Sequence, residues 1–156
     1  MIILIEGPIN AGKTTISRLL SETIPNTAHV KVDDLRHFVS WMSLEDAIPF
    51  ALENAACVTT NFVRAGLHVI IDYPLDQDDY DFLYTQFQQL NTPVYCFTLR
   101  PNLDVNLTNR GKRILTDRER RRIREQHQSR QGIPAVGYKI DNSAQTVQNI
   151  LDILNV

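Results

Sequence analysis

The chain has 156 residues, of which 43% are hydrophobic and 22% are charged. This size predicts a single domain with its own core, and the composition excludes a disordered, collagen-like or disulfide-rich protein. The formal net charge is −2, which by itself indicates no polyanionic partner. The charge is unevenly distributed, because residues 110–130 carry nine of the sixteen basic side chains and only three acidic ones.

The opening apolar run and the cysteines bear on the cellular environment. Met1–Ile5 is too short for a membrane span or for the hydrophobic part of a signal peptide, so we expect a cytoplasmic protein with no membrane partner. Cys57 and Cys96 show no metal-ligand spacing, and we expect both to be buried, reduced thiols.

Short apolar runs alternate with amphipathic stretches along the chain. Ser43 starts a helical pattern that ends at Gly66 and contains Pro49, where we expect a late start or a kink. Asp76 and Ser143 precede two further helical patterns. Because parallel strands need crossover connections, the alternation predicts one α/β domain over residues 1–156, with three α/β/α layers around a five-stranded parallel sheet. The predicted strands are Met1–Glu6, His29–Asp34, His68–Tyr73, Val94–Leu99 and Gly137–Asp141.

The segment GPINAGKT, from Gly7 to Thr14, carries the most specific signal. It matches G-x-x-x-x-G-K-[ST] and lies between an apolar strand and a helical pattern. In such a loop, backbone N–H groups surround anionic oxygens and the helix N-terminus adds partial positive charge. We therefore predict a nucleotide-phosphate site in which Lys13 bridges the β- and γ-phosphates and Thr14 ligates Mg²⁺. The predicted nucleotide-binding residues of this segment are Gly7, Asn10, Ala11, Gly12, Lys13, Thr14 and Thr15.

The remainder of the chain narrows the class of nucleotide-binding protein. It contains no N-K-x-D or D-x-x-G element of the guanine-nucleotide switches, and 156 residues leave little room for the added strands of motor ATPases. The chain resembles the small P-loop kinases: shikimate kinase, gluconate kinase, the nucleoside monophosphate kinases and, most closely, the chloramphenicol phosphotransferase-like group. Beyond the phosphate loop, the resemblance rests on VDDLR at 32–36, VIIDYP at 69–74, LRP at 99–101, NRGKR at 109–113 and GYKIDNS at 137–143.

This resemblance implies a fold of the nucleotide-kinase type, ATP and Mg²⁺ as cofactors, and phosphoryl transfer to a hydroxyl group of a small molecule such as a metabolite or an antibiotic. The chain lacks the Gly-Gly-Gly substrate loop of shikimate kinase and the D-G-D-x-x-H stretch of gluconate kinase. Neither of those two activities is therefore favoured.

The resemblance also implies roles for acidic residues near two strand ends. Asp33 would orient the acceptor hydroxyl and take its proton, and Asp34 and Arg36 would bind the acceptor. The alternative is that Asp34 caps the following helix while Asp33 is a solvated strand end, and the sequence leaves open which of the two carboxylates is catalytic. Asp72 ends the third apolar run, and the resemblance implies that it acts with Thr14 at the Mg²⁺ site.

The basic segment at approximately 110–132 corresponds to the lid of these kinases. Ile123 is the only large apolar residue of its helical part, so we expect this helix to lie outside the core and to move relative to it. By resemblance, Arg110 would lie near the adenine, and Arg113 would reach the phosphates together with Arg118, Arg121 or Arg122. The spacing leaves the choice among these last three open, and we take Arg118 as the catalytic candidate. The alternative is a solvated helix stabilised by pairs of glutamate and arginine.

Two further features bear on the ligands. Asn142 matches the loop that wraps the adenine in the small kinases, and its alternative role is that of an ordinary residue before a helix. The excess of arginine favours an anionic acceptor, such as a phosphorylated metabolite, a nucleotide or a nucleic-acid end. The competing functions are therefore a nucleotide or polynucleotide kinase, and a non-catalytic ATP-binding regulatory protein. The sequence leaves the acceptor and the oligomeric state open.

Overall fold

The structure is a computed structural model, and it describes residues 1–109, 114–128, 134–141 and 145–156. The predicted ligand-binding residues Arg110, Arg113 and Asn142, and Ser143 before the last helix, lie outside these ranges.

Five parallel strands form one sheet in the order β2-β3-β1-β4-β5, which places β1 at its centre. The strands are β1 (Ile2–Glu6), β2 (Thr27–Lys31), β3 (His68–Asp72), β4 (Val94–Leu99) and β5 (Tyr138–Ile140).

Helices connect the strands and cover both faces of the sheet. They are α1 (Lys13–Thr23), α2 (Val32–Arg36), α3 (Leu44–Arg64), α4 (Gln77–Phe87), α5 (Leu103–Asn106), α6 (Asp117–Gln128) and α7 (Thr146–Leu154), with short 3-10 turns at His37–Val39 and Gln88–Leu90. Within the described ranges, no helix combines the length and apolar character that a membrane crossing requires.

The core consists of two apolar layers, one on each face of the sheet. Ile2 and Leu4 of β1 pack with residues of α3 and α4, whereas Ile3 and Ile5 pack with residues of α1 and α7. All four side chains are fully buried, as expected for a central parallel strand that is covered on both sides. The predicted α/β/α architecture with a five-stranded parallel sheet is confirmed.

Local signals set the ends of two helices as expected. The Ser43 side chain accepts a hydrogen bond from the backbone N–H of Asp46 at 3.2 Å, and α3 continues through Pro49 without the late start that the sequence suggested. Gly66 follows the end of α3 with a φ of +84°, a left-handed conformation that favours glycine. Asp76 caps α4 through a capping box with Asp79.

Two predictions about the second strand and the cysteines are wrong. The strand ends at Lys31 rather than at Asp34, because the next five residues form α2; the acidic residues of its first turn suit the positive end of a helix. Cys57 is exposed on the outer side of α3, whereas Cys96 is buried on β4. The reason is the helical period, since Ala55, Ala56 and Thr59 face the core and leave Cys57 outside.

Candidate functional site

The carboxyl ends of β1, β3 and β4 meet at one edge of the sheet, where ligands bind in open α/β folds. The loop of residues 7–12, which we call the phosphate loop, connects β1 to α1 at this edge. Gly7 has a φ of +150°, and a Cβ atom there would lie 2.8 Å from the carbonyl oxygen of Leu99 on β4. Only glycine therefore allows the loop to pass this close to β4.

Hydrogen bonds hold the far side of the phosphate loop in place. Asn10 has a φ of +63°, and its Nδ2 atom donates to the carbonyl oxygens of Asn106 at 2.8 Å and Thr108 at 3.1 Å. Ala11 is fully buried, and Gly12, with a φ of +91°, leads directly into α1. The loop is thus anchored to the segment around α5.

The N-terminus of α1 carries the predicted cation. Lys13 is the first residue of this eleven-residue helix, and the cap position before it is occupied by Gly12. The Lys13 Nζ atom donates to the carbonyl oxygens of Gly7 at 2.8 Å and Pro8 at 3.0 Å. Thr14 and Thr15 follow in the first turn with exposed side chains. The first turn of a helix presents backbone N–H groups without intrahelical acceptors, which suits an anionic ligand.

Asp72 ends β3 next to β1, in register with Ile5. Val69 and Ile71 of the same strand pack toward α3 and α4. Successive side chains of a strand point to opposite faces, so Asp72 faces the α1 side of the sheet, where Thr14 lies. The Asp72 Oδ1 atom is 3.3 Å from Nε2 of His29 on β2. Since Nε2 has no hydrogen-bond partner within the described ranges, this is a close polar contact rather than a hydrogen bond.

These oxygen donors fit a magnesium ion. Mg²⁺ prefers one or two carboxylates together with substrate phosphates and water, rather than a cage formed by the protein alone. Asp72 supplies a carboxylate and Thr14 a hydroxyl on the same side of the sheet. Among the described residues, no three His, Cys, Asp or Glu side chains cluster as a closed metal site would require.

The acidic pair after β2 lies on the surface of α2. The Asp34 side chain is 58% exposed and its Oδ2 atom lies 2.7 Å from Nζ of Lys31. Asp33 is 59% exposed and its Oδ1 atom lies 3.5 Å from Nη2 of Arg36. The alternative role of Asp34 as a cap is wrong, because Lys31 occupies the cap position of α2 and no side chain caps it.

Asp33 and Arg36 are within electrostatic reach of Tyr73, the first residue after β3. Burial is the largest cause that raises the pKa of the Tyr73 phenol to about 12, followed by the negative charge of Asp33. Arg36 opposes the rise. The structure therefore brings α2 and the end of β3 together beside the phosphate loop.

Glu6 is a residue of this site that the sequence reasoning missed. It ends β1, directly before the phosphate loop, and is only 3% exposed. Burial raises the pKa of its carboxyl to about 7, although the hydroxyl of Thr98 and the charges of Lys13 and Arg100 oppose the rise. Its Oε1 atom and the Thr98 Oγ1 atom have no hydrogen-bond partner within the described ranges. A carboxylate that ends an apolar run immediately before the loop was the available signal.

The basic helix α6 is docked on the site. As expected, it contributes no described residue to either core layer, but its large apolar residue Ile123 is fully buried. Gln126 Oε1 accepts a hydrogen bond from the backbone N–H of Ile9 in the phosphate loop at 3.0 Å. Near the other end of α6, Arg120 donates to the carbonyl oxygen of Leu107. One buried apolar residue and polar contacts of its neighbours Arg120 and Gln126 thus join α6 to the rest of the domain.

Among the candidate arginines Arg110, Arg113 and Arg118, the structure describes only the last. Arg118 lies on α6 with an exposed side chain, whereas Arg110 and Arg113 are outside the described ranges. Of the predicted glutamate–arginine pairs, Arg122 and Glu125 lie 3.6 Å apart. One glutamate–arginine pair of the alternative interpretation, a solvated helix, is thus present on α6. The same helix also contacts the phosphate loop.

Comparison with known proteins identifies the fold. No family model and no curated protein sequence matches the chain. Solved structures match nearly all of it: the tunicamycin resistance protein of Deinococcus radiodurans is 18% identical, with a TM-score of 0.69 over 99% of this chain and 95% of that one. The APS kinase of Mycobacterium tuberculosis, in complex with AMPPNP and APS, is 14% identical, with a TM-score of 0.71 over 99% and 97%.

The shikimate kinase of Bacteroides thetaiotaomicron is 14% identical, with a TM-score of 0.60 over 100% of this chain and 99% of that one. Similarity at this level of identity establishes the fold, and the activity has to be argued from the site itself. The chain has the fold of the P-loop kinases, as the sequence predicted.

Proposed function

We propose that the protein is an ATP- and Mg²⁺-dependent kinase that transfers a phosphoryl group to a hydroxyl of a small molecule such as a metabolite or an antibiotic. The observation that carries the proposal is the phosphate loop, whose left-handed residues Asn10 and Gly12 lead directly into the N-terminus of α1. A triphosphate placed there would meet backbone N–H groups and the positive end of the helix. Structural neighbours that are kinases support the same reaction class.

The nucleotide half of the site follows from this placement. We assign the triphosphate to Gly7, Asn10, Ala11, Gly12, Lys13, Thr14 and Thr15. The Lys13 ammonium donates to two carbonyl oxygens of its own loop, and we infer that it turns toward the β- and γ-phosphates when they bind. Thr14 and Asp72 would hold Mg²⁺, which neutralises charge on the transferring phosphates when bound.

The acceptor half of the site lies at α2. We assign Asp33 as the carboxylate that orients the acceptor hydroxyl, and Asp34 and Arg36 as acceptor-binding residues. The hydroxyl oxygen forms a bond to the γ-phosphorus, the bond from that phosphorus to the β–γ bridging oxygen breaks, and the hydroxyl proton passes to Asp33. ADP leaves with the electron pair of the broken bond. A weak base is sufficient, because the transition state of phosphoryl transfer is loose.

The basic segment would complete the site. Arg118 on α6 is our candidate for stabilising the charge that develops on the phosphoryl group, and the contact between Gln126 and Ile9 keeps its helix against the loop. Arg110 and Asn142 as adenine contacts, and Arg113 as a phosphate contact, remain predictions on residues outside the described ranges.

One observation favours a second candidate function. The exposed face of α6 presents arginines toward solvent, at positions 118, 121, 122 and 124. A basic surface beside a phosphate site suits an acceptor that itself carries phosphate. The second candidate is therefore a nucleotide or polynucleotide kinase, with the same phosphate loop and a different acceptor.

A thermal-shift screen with Mg²⁺ and AMPPNP tests the proposal, because a ligand that binds the native state raises the melting temperature. We expect AMPPNP to stabilise the protein and one class of antibiotics, sugars, nucleosides, nucleotides or single-stranded oligonucleotides to stabilise it further. With an acceptor found in this way, the protein should convert ATP to ADP. Lys13→Ala should lose the AMPPNP shift, and Lys139→Ala, an exposed lysine of β5, should retain it.

Other outcomes of the screen would point elsewhere. Stabilisation only by oligonucleotides, with a steep salt dependence, would replace the small-molecule acceptor by a polynucleotide. Slow ATP hydrolysis that no hydroxyl compound accelerates would favour a non-catalytic ATP-binding protein. The absence of any nucleotide shift in the wild-type protein would overturn the proposal.

A further inference from the structure

Glu6 occupies an unusual position in the sheet. The even-numbered residues of β1 face α3 and α4, as Ile2 and Leu4 do, so Glu6 points to that apolar side. Thr98 on β4 lies directly opposite it in register, and Tyr73 follows the end of β3 on its other side. The central strand thus ends in a buried carboxyl, flanked by Thr98 on β4 and by Tyr73 directly after β3.

The surroundings of this carboxyl disfavour its ionised form. A buried carboxylate needs hydrogen bonds or a cation to offset the loss of water, and the Oε1 atom of Glu6 has no hydrogen-bond partner among the described residues. The opposing influences are the charges of Lys13 and Arg100 and the hydroxyl of Thr98. The charge state of Glu6 therefore depends on where the Lys13 ammonium lies.

Two titratable neighbours of Glu6, on β4 and after β3, keep their protons at neutral pH. On β4, the pKa of the Cys96 thiol is raised to about 12, first by burial and then by Glu6 itself. On the side of β3, the pKa of the Tyr73 phenol is also about 12. Lys13 at the start of α1 and Arg100 after β4 are cations. Glu6, with a pKa of about 7, is therefore the group of this cluster that can exchange a proton at neutral pH.

A bound triphosphate would act on the charge of Glu6 in two ways, and both favour the protonated carboxyl. It adds several negative charges next to the loop that follows Glu6. It also attracts the Lys13 ammonium, which now lies on the Gly7 and Pro8 carbonyls. Both changes penalise a negative charge on Glu6, since the interaction of unlike charges weakens with distance and that of like charges is repulsive.

We propose that Glu6 is a positioning residue that takes up a proton when a nucleoside triphosphate binds, and that its ionised form holds Lys13 back toward the loop. This inference rests on the proposed function, since it needs a triphosphate in the phosphate loop. A purely structural residue would not exchange a proton when the nucleotide binds. Nucleotide affinity should fall as the pH rises through the range in which Glu6 of the free protein loses its proton.

Calorimetric titration with Mg²⁺ and AMPPNP at pH 7, in PIPES and in Tris buffer, counts the protons taken up, because the two buffers differ in ionisation enthalpy. We expect about half a proton per nucleotide from Glu6 in the wild-type protein, since a group at its pKa is half protonated. Glu6→Gln should lose this uptake. Glu53→Gln, the same change at an exposed position of α3, should keep it. Proton exchange by the nucleotide itself is common to all three proteins and cancels in the comparison.

The outcomes separate this inference from the proposed function. Equal proton uptake by Glu6→Gln and Glu53→Gln, with AMPPNP binding intact, would overturn the role of Glu6 alone. A wild-type protein that does not bind AMPPNP would instead overturn the proposed function.

A second measurement covers the case in which Glu6→Gln does not fold. Thr98→Val removes the hydroxyl that lowers the Glu6 pKa, so it should move the pH midpoint of AMPPNP affinity upward relative to the wild-type protein. An affinity that does not vary between pH 6 and pH 8 in either protein would overturn the inference.

Discussion

The side-chain oxygen of Gln126 accepts a hydrogen bond from the backbone N–H of Ile9 at 3.0 Å, and this contact joins α6 to the phosphate loop. One residue further along, His127 Nε2 lies 3.1 Å from Nδ2 of Asn106, the residue whose carbonyl oxygen accepts from Asn10 of the same loop. The basic helix α6, which is remote in sequence, thus contacts the phosphate loop directly through Gln126 and indirectly through Asn106. Its packing is part of the architecture of the site.

Ile123 should be the main apolar anchor of this helix. Ile123→Ala is expected to lower the free energy of unfolding by about 2–5 kcal/mol, because it removes a fully buried side chain and leaves a cavity. Ile114→Ala, the same change at a side chain that is 78% exposed, should change it by less than about 0.5 kcal/mol. Urea unfolding measures both. Equal effects of the two variants would mean that α6 is not docked as described.

Asp33 and Asp34 should affect different kinetic constants. Asp33→Asn is expected to lower kcat by about 100-fold or more, because the group that takes the hydroxyl proton is lost. Asp34→Asn should mainly raise KM for the acceptor, since it removes a binding contact and the partner of Lys31. ADP release with an acceptor found in the screen gives both constants. Asp104→Asn, at an exposed position of α5, is the control, and a reversal of the two effects would exchange the roles.

Gly7→Ala and Gly66→Ala make the same chemical change in different surroundings. At Gly66 a Cβ atom would meet nothing within 4 Å, so the expected cost is that of the left-handed conformation, about 1–2 kcal/mol. At Gly7 the Cβ atom would lie 2.8 Å from the Leu99 carbonyl oxygen, and the phosphate loop must move. AMPPNP affinity should fall by tenfold or more in Gly7→Ala and remain unchanged in Gly66→Ala. Unchanged affinity in both would mean that this loop does not bind the nucleotide.

The sequence predicted the sheet well and the position of single side chains less well. Alternating apolar runs and helical periods are local patterns, and they gave the parallel sheet, the caps at Ser43 and Asp76 and the helix end at Gly66. The end of β2 was wrong because the turn into α2 is accompanied by a specific contact between Lys31 and Asp34, which an extended pattern through Asp34 does not reveal.

Burial of single residues was the other source of error. Ile123 is fully buried, and its helix is bonded to Ile9 of the phosphate loop and to Asn106 of α5, which are remote in sequence. Glu6 has the same explanation, since a carboxylate at a strand end is ordinarily solvated. It is buried here only because β3 and β4 flank the central strand. Tertiary neighbours, rather than local preference, decide both cases.

Glu6 should also make stability depend on pH in the direction opposite to a salt-bridged carboxylate. Its pKa is raised in the folded protein from 4.5 to about 7, so the folded state binds more protons than the unfolded state between these two values. The free energy of unfolding therefore falls as the pH rises through this window. The contribution of Glu6 is fully present below about pH 4.5 and lost above about pH 7, and it amounts to at most about 3 kcal/mol.

Urea unfolding at pH 5 and pH 8 measures this effect. Glu6→Gln carries no titrating group at this position, so its unfolding free energy should change with pH by up to about 3 kcal/mol less than that of the wild-type protein. Asp79, whose pKa is raised by burial, contributes in the same direction but is present in every variant and cancels. Glu53→Gln should follow the wild-type profile. If Glu6→Gln keeps the wild-type dependence, the Glu6 carboxyl is already ionised and paired in the folded protein.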